Sequence, residues 1–494
     1  MLSVSAVKTF VHARNEEQPD PQDHSRLPQD KVYLGAGAVL VNVGAALQQL
    51  FEAQARDRLA LIKEFSQTIQ VTQESANAHY KNGIVCIQQE EWGKAADIFS
   101  RAIELNPRFP EAYYQRGLAY ARQDKLEQAI ADYREALRLN PEDADPFFGL
   151  GLIHDKQGFP ETAIANYTEA IKRDPQHVAA ICNRGSLYFR QGLWEKAMAD
   201  YALAVRVNPH NAVPHSNLGS GYFQLNRFAE AEQFYREAIR LDPQYGAAYH
   251  GLGYVHERQG RLQEAIDAHT QAIALDPRNA GAYHNRGNVH RWQGNWEKAQ
   301  ADFTQAIELN PRFAESFAFR GVVHARQGEW KKAFADYNEA IRLNPKNADT
   351  FYNRANAHLQ LEQWEKAIDD FTQALRLNPE DAQSYDGRGL AHYLAGVSLE
   401  QAEDDFVAAI ALDSNCIKAY YNLGGLYHDR GWFEAAIANY DEVIRLNPQH
   451  AKAFYNRGAA HRSLRHIKNA KQDYIKALEL DPSLPSPFKK KKSS

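Results

Sequence analysis

Apolar residues fall in two bursts with a helical spacing of three and four, divided by polar breaks such as "RQG" at Arg190 to Gly192 and "QEE" at Gln89 to Glu91. That spacing predicts pairs of amphipathic helices with short turns between them. The bursts also repeat. Trp364 to Pro379 reads "WEKAIDDFTQALRLNP" and Trp296 to Pro311 reads "WEKAQADFTQAIELNP", so one packing unit is written again and again.

The period is thirty-four. Prolines stand at 107, 141, 175, 209, 243, 277, 311, 345 and 379; Ser414 takes the place after one inserted residue, and Pro448 and Pro482 follow. Each "LNP" or "LDP" closes a second helix, because proline lacks an amide N–H and disfavours helical geometry in the residue before it. A glycine marks the middle of each first helix at 83, 117, 151, 185, 219, 253, 287 and 321, gives way to Ala355, and returns at 389, 424 and 458. Alanine recurs twelve positions after it, from Ala95 to Ala470. A large aromatic follows four later, from Phe99 to Tyr474, with His269 the exception. Small residues let helices approach, and rings fill what remains.

Glycine, aromatic or histidine, alanine, aromatic, alanine and proline in this order and period resemble the tetratricopeptide repeat from Ala76 to Leu484. The resemblance implies an all-α fold, a right-handed superhelix (α-solenoid) of twelve 34-residue helix-turn-helix repeats. First helices would line a concave groove for an extended peptide or a partner helix, and each repeat would contact only its neighbours. The array is also similar to the repeat region of O-linked N-acetylglucosamine transferases. Those carry a large catalytic domain after the repeats, whereas this sequence has twelve residues after Pro482.

The flanks divide the chain further. Residues 1 to 31, with "NEEQPDPQDHSRLPQD", cannot bury a core and read as disordered. Before that stretch, Lys8 and Arg14 stand with no acid, the composition of an organellar presequence. Residues 32 to 75 read as an apolar and then amphipathic helix capping the array, with Leu40, Val43, Leu47, Leu50, Ile62, Phe65 and Ile69 on its apolar face. The alternative is a membrane anchor at residues 32 to 51, although Val32 to Leu47 falls short of the ~20 apolar residues of a spanning helix. Residues 485 to 494, with four consecutive lysines, read as a disordered tail.

Charge and chemistry narrow the function. Charged residues make up 24% of the chain and the net charge is −5, so no broad basic field draws it to nucleic acid. Cys86, Cys182 and Cys416 match neither zinc spacing nor a disulfide framework and fit a reducing, cytoplasmic setting. No "GxxxxGK", "HExxH" or "GxSxG" occurs, so no enzyme and no cofactor is expected. Histidines three after the glycine, at 154, 256, 290, 324, 358, 392 and 461, alternate with tyrosines and read as packing residues rather than metal ligands.

Three columns face the groove that the resemblance implies. Two before the glycine stand Asn183, Asn217, Asn285, Asn353, Asn422 and Asn456, whose amides can pair with a peptide backbone whatever its side chains. Three before it, the first repeats carry Tyr80, Tyr114 and Phe148; five after it stand Arg122, Lys156, Arg190, Arg258 and Arg326. Aromatic and basic rows side by side suit an acidic, apolar-anchored segment. In the last repeat Lys471 replaces an isoleucine, yet Tyr474, Ile475 and Leu478 remain and predict a self-association face, hence a homodimer. The reading is a non-enzymatic protein-binding scaffold. The alternatives are a membrane-associated assembly factor and a substrate-recognition subunit for an enzyme acting in trans.

Overall fold

The computed structural model describes residues 55 to 485, and the expectations for residues 1 to 54 and 486 to 494 lie outside them. Among the described residues there are 24 helices and no strand, arranged as twelve consecutive antiparallel pairs. The protein is an all-α helical repeat. Contacts divide it into two units, residues 1–208 and 209–494. The first holds α1 (Ala55–Gln88) to α8 (Trp194–Val207), and the second holds α9 (Ala212–Gln224) to α24 (Ile467–Leu480). Within each unit, every first helix packs on its own second helix and on the first helix of the next pair or the second helix of the preceding one.

The proline boundary has a local cause. The residue before each proline leaves helical geometry, as Asn140 does at φ −136° and ψ 89°. Its side chain then accepts from the amide two residues on: Asn106 from Arg108 at 3.1 Å, Asp174 from Gln176 at 2.9 Å, Asp242 from Gln244 at 2.9 Å. This small turn explains why "LNP" and "LDP" carry Asn or Asp and no other polar residue there. Within a pair, the turn places one residue in the left-handed region every time, seven glycines (Gly158 to Gly431) and five others, Glu90, Asp124, Asn226, Glu362 and Arg465.

The core follows the columns. The alanines at 95, 129, 163, 197, 231, 265, 299, 333, 367, 402 and 436 have no exposed surface, and the rings from Phe99 to Tyr474 are buried. The central glycine exists to admit that ring. A Cβ on Gly253 would stand 2.3 Å from Cε1 of His269, and one on Gly151 would stand 2.5 Å from Cε1 of Tyr167. Some rings also reach the next pair: Tyr235 lies 2.4 Å from where a Cβ on Gly251 would be, and Phe371 lies equally close to Gly387. One aromatic therefore ties its own pair to the following one.

Candidate functional site

The asparagine column sits at those ring contacts, on first helices, half-buried except for Asn285, which is buried. Four of its six members turn toward the preceding pair. Nδ2 of Asn422 donates to Oδ1 of Asp386 at 2.8 Å, and Nδ2 of Asn456 donates to the Tyr421 hydroxyl at 2.9 Å. Nδ2 of Asn285 lies 3.3 Å from Nε2 of His250, and the Asn183 amide is beside the buried Tyr167 hydroxyl, which has no hydrogen bond of good geometry. Asp386, Tyr421 and His250 all stand three before a glycine, so the chain joins the two columns across pair boundaries. One of the two amide donors is used inside the fold at Asn285, Asn422 and Asn456, which leaves each with its second donor and its carbonyl acceptor. Asn217 and Asn353 are half-buried in the same register.

The N-terminal aromatics are packing residues with one open edge. Tyr80 lies 5.7 Å from Phe99 and 5.0 Å from Phe109, Tyr114 lies 5.7 Å from Tyr133, and Phe148 lies 5.8 Å from Tyr167 and 4.7 Å from His177, centroid to centroid. Burial raises the Tyr114 hydroxyl well above the ordinary phenol range.

The basic column is exposed but mostly answered. Lys156 pairs with Asp124 at 2.6 Å, Arg190 pairs with Asp155, Arg122 lies 5.5 Å over Trp92, and Arg258 lies 5.3 Å over Phe228. Arg326 is exposed and makes no ion pair among the described residues. Beside it lies Arg291, which sequence reasoning passed over. Its Nε and Nη2 donate to Oδ1 of Asn288 at 3.1 and 2.8 Å, and its guanidinium lies 5.0 Å over the Phe319 ring. Burial, and then the charge of Arg326, lower its pKa.

Family matches fall on this same register. The tetratricopeptide repeat matches residues 348–381 and 451–484, and a second description, TPR repeat, matches 83–124, 119–158, 324–362 and 424–464. The chain carries tetratricopeptide repeats. Residues 149–316 match the cilia and flagella-associated protein 70 C-terminal domain. Among solved structures, the APC/C hetero-tetramer Cut9-Hcn1 is similar at 14% identity, covering 84% of this chain and 97% of its own, with a TM-score of 0.47. Yeast Tom70 is 15% identical over 83% of this chain and 98% of its own, with a TM-score of 0.38. MamA is 27% identical over 34% of this chain and 97% of its own, with a TM-score of 0.29. No curated protein matches the chain.

The tetratricopeptide repeats here carry a further column that the sequence showed but reasoning missed. One before the glycine, or before Ala355 in its place, Arg116, Arg184, Arg286, Arg320, Arg354, Arg388 and Arg457 each form a two-bonded fork with an aspartate on the second helix: Asp132, Asp200, Asp302, Asp336, Asp370, Asp405 and Asp473. The third nitrogen reaches the second helix of the preceding repeat, as Arg320 Nη1 does to Thr304 Oγ1 at 3.2 Å and Arg388 Nη1 to Thr372 Oγ1 at 3.3 Å. One guanidinium thus clamps three helices. The signal was pairwise: the five repeats without the arginine have Asn82, Leu150, Leu218, Leu252 and Leu423 there, opposite Ile98, Asn166, Phe234, Ala268 and Asn439, and never a lone aspartate.

Burial tempers the clamp. Arg116 is raised, as a paired base should be, yet Asp132 is also raised because desolvation outweighs its fork. We take the deeper partner, with 7% of its side chain exposed against 18%, as decisive: the pair fixes geometry more than it adds stability.

The remaining expectations sort simply. His256, His290, His324 and His392 are buried, and among the described residues no three His, Cys, Asp or Glu could hold a metal ion. Tyr474 is buried against Tyr455, 5.2 Å away, so of the C-terminal trio only Ile475 is exposed, with Leu478 half-buried. Among the described residues no helix is long and apolar enough to cross a membrane.

Proposed function

We propose that this protein is a non-enzymatic scaffold that holds an extended segment of a partner protein along its first helices, and that the segment is acidic where it passes Arg291 and Arg326. Tetratricopeptide repeat proteins generally mediate protein–protein interactions. The observation that carries the finer reading is a missing negative charge. In the first unit, the positions four and five after the glycine of successive repeats hold Asp155 and Arg190, an ion pair. The same positions in the second unit hold Arg291 and Arg326, two cations with no acid. Like charges so placed repel, and a carboxylate from outside relieves both. Carbonyls of the asparagine column, on the first helices of the same and other repeats, suit the amides of an extended chain.

Panning the full chain against twelve-residue peptides displayed on phage tests this. Glu and Asp should be enriched among the selected peptides, and Arg291→Gln with Arg326→Gln should remove that enrichment. Selection of no peptide, or an acidic preference that survives the double variant, would refute the reading.

A further inference from the structure

The second unit contains a cavity of about 280 Å³ lined by Tyr352, Asp386, Leu390, Lys418, Tyr421 and Asn422 among others. Its origin is a change of residue type in one column. Three before the column's glycine stand Tyr352, Tyr421 and Tyr455 in neighbouring repeats, half-buried rings that lie 5.8, 6.0 and 5.2 Å, centroid to centroid, from Phe371, Tyr440 and Tyr474 of their own second helices. In the repeat between Tyr352 and Tyr421 the position is Asp386, in the sequence "SYDGRG". An aspartate is far smaller than a tyrosine. The next residue, Gly387, adds no side chain of its own, because the Phe371 ring lies 2.4 Å from where its Cβ would stand. A ring-sized volume is left open and a carboxylate lines it.

That carboxylate is poorly answered. Asp386 is only 7% exposed, and Oδ1 accepts one bond, from Nδ2 of Asn422 at 2.8 Å. No cation lies within ion-pair distance of it among the described residues. Other polar groups of the lining are occupied: the Tyr352 hydroxyl donates to Oε1 of Gln383 at 3.2 Å, the Tyr421 hydroxyl accepts from Asn456, and Nδ1 of His450 accepts from the Ala453 amide at 3.1 Å. Lys418 is exposed at the rim and acts on Asp386 only through its field. Consistent with this, burial raises the Asp386 carboxyl above its ordinary range, with the Asn422 bond and Lys418 opposing it. Aspartates of the Arg clamps are as deeply buried, but each meets a guanidinium.

We propose that this cavity is a specificity pocket for a long basic side chain, arginine or lysine, of the segment bound along the first helices. The methylene stem would lie against Leu359, Leu390 and Ile417, the charged head would reach Asp386, and the faces of Tyr352 and Tyr421 would flank it. A buried carboxylate gains most from a charge-assisted hydrogen bond, long basic side chains carry an apolar stem, and aromatic faces attract cations. An acidic or apolar side chain would leave Asp386 uncompensated, which is a cost that selects against it. The inference rests on the peptide-scaffold reading above. It adds that the bound segment carries a basic residue at a fixed spacing from its acidic part.

The same twelve-residue display library, panned on Asp386→Asn and on Lys418→Gln, is the test. Wild-type protein should enrich Arg or Lys at one position. Asp386→Asn, which keeps the volume and the Asn422 contact, should lose that enrichment while keeping the acidic one. Lys418→Gln, a change at an exposed site, should strengthen it at least twofold by removing the competing field. Selected peptides with acidic but no basic preference, a basic preference unchanged in Asp386→Asn, or a weaker one in Lys418→Gln would overturn the pocket and leave the scaffold reading standing. Failure to select any peptide would overturn both. Should Asp386→Asn lose helicity by circular dichroism, that too counts against the pocket, because it would show the carboxylate to be a required structural partner rather than an unanswered charge.

Discussion

A single arginine can hold three helices only if its acid is present, and the repeats show the two residues arriving together. Arg320 forks onto Asp336 with its third nitrogen on Thr304, and the two side chains are 18% and 9% exposed. Replacing Arg320 by leucine strands a buried carboxylate, so chemical denaturation of Arg320→Leu should show a loss of about 3 kcal/mol. Adding Asp336→Ala recreates the Leu252 and Ala268 combination of another repeat, and most of that loss should return. If the double variant is as unstable as the single one, the fork is not the reason the residues co-occur. This column was legible in principle. It was overlooked because arginine before a glycine reads as surface when each copy is weighed alone, and only the matched change at the aspartate sixteen residues on exposes it.

At the scale of the helix pair, sequence gave most of the architecture because sterics act locally there. Proline ends the second helix, glycine admits a ring, and alanine sets the approach, each in a way that residue type alone determines. What it could not give was direction of side chains that have two options. The asparagine column reads as facing a ligand, and the fold adds that Asn422 and Asn456 each turn one amide donor onto Asp386 and Tyr421, a choice fixed by the neighbouring repeat. The turn between paired helices shows the local rule at its simplest. All twelve turns have one residue at positive φ, and Glu362 sits there at 56° where Gly328 sits at 75°. An L side chain in that region costs about 1 kcal/mol relative to glycine. Thermal melts should therefore rank Glu362→Gly above the wild type and Gly328→Ala below it. Equal melting temperatures would mean that the turn, not the residue, sets the conformation.

Across the second unit, titration should be governed by one atypical repeat together with His284 of the repeat that follows it. Where the others bury a ring, His269 stands fully buried, with Nε2 2.7 Å from Oε1 of Glu257 and with His250 5.3 Å away between centroids. Burial pushes Glu257 up to about 8 and holds His269, His250 and His284 at about 4. Glu257 and His269 share one proton, and the direction that follows is that both are neutral near pH 7. A carboxyl that keeps its proton in the fold but loses it in the unfolded chain near 4.5 makes stability fall as pH rises from about 4.5 to about 8. The histidines act oppositely, because the unfolded chain takes up protons below 6.5 while the folded one waits until about 4, so stability falls as pH drops through that interval. Three such groups outweigh one below pH 6.5, and above it only Glu257 remains. Stability of the second unit should peak near pH 6.5 and decline by a few degrees of melting temperature toward pH 8. Because each repeat couples only to its neighbours, the decline should start locally. Hydrogen exchange, corrected for intrinsic rate, should accelerate between pH 6.5 and 8 in Gly246–Arg258 and Leu262–Leu275 more than in Trp330–Leu343 or Trp364–Leu377. Glu257→Gln should abolish that local difference while leaving the acid side of the profile in place. A profile flat from 6.5 to 8, or an acceleration spread evenly over all repeats, would show that Glu257 is not held protonated in the fold.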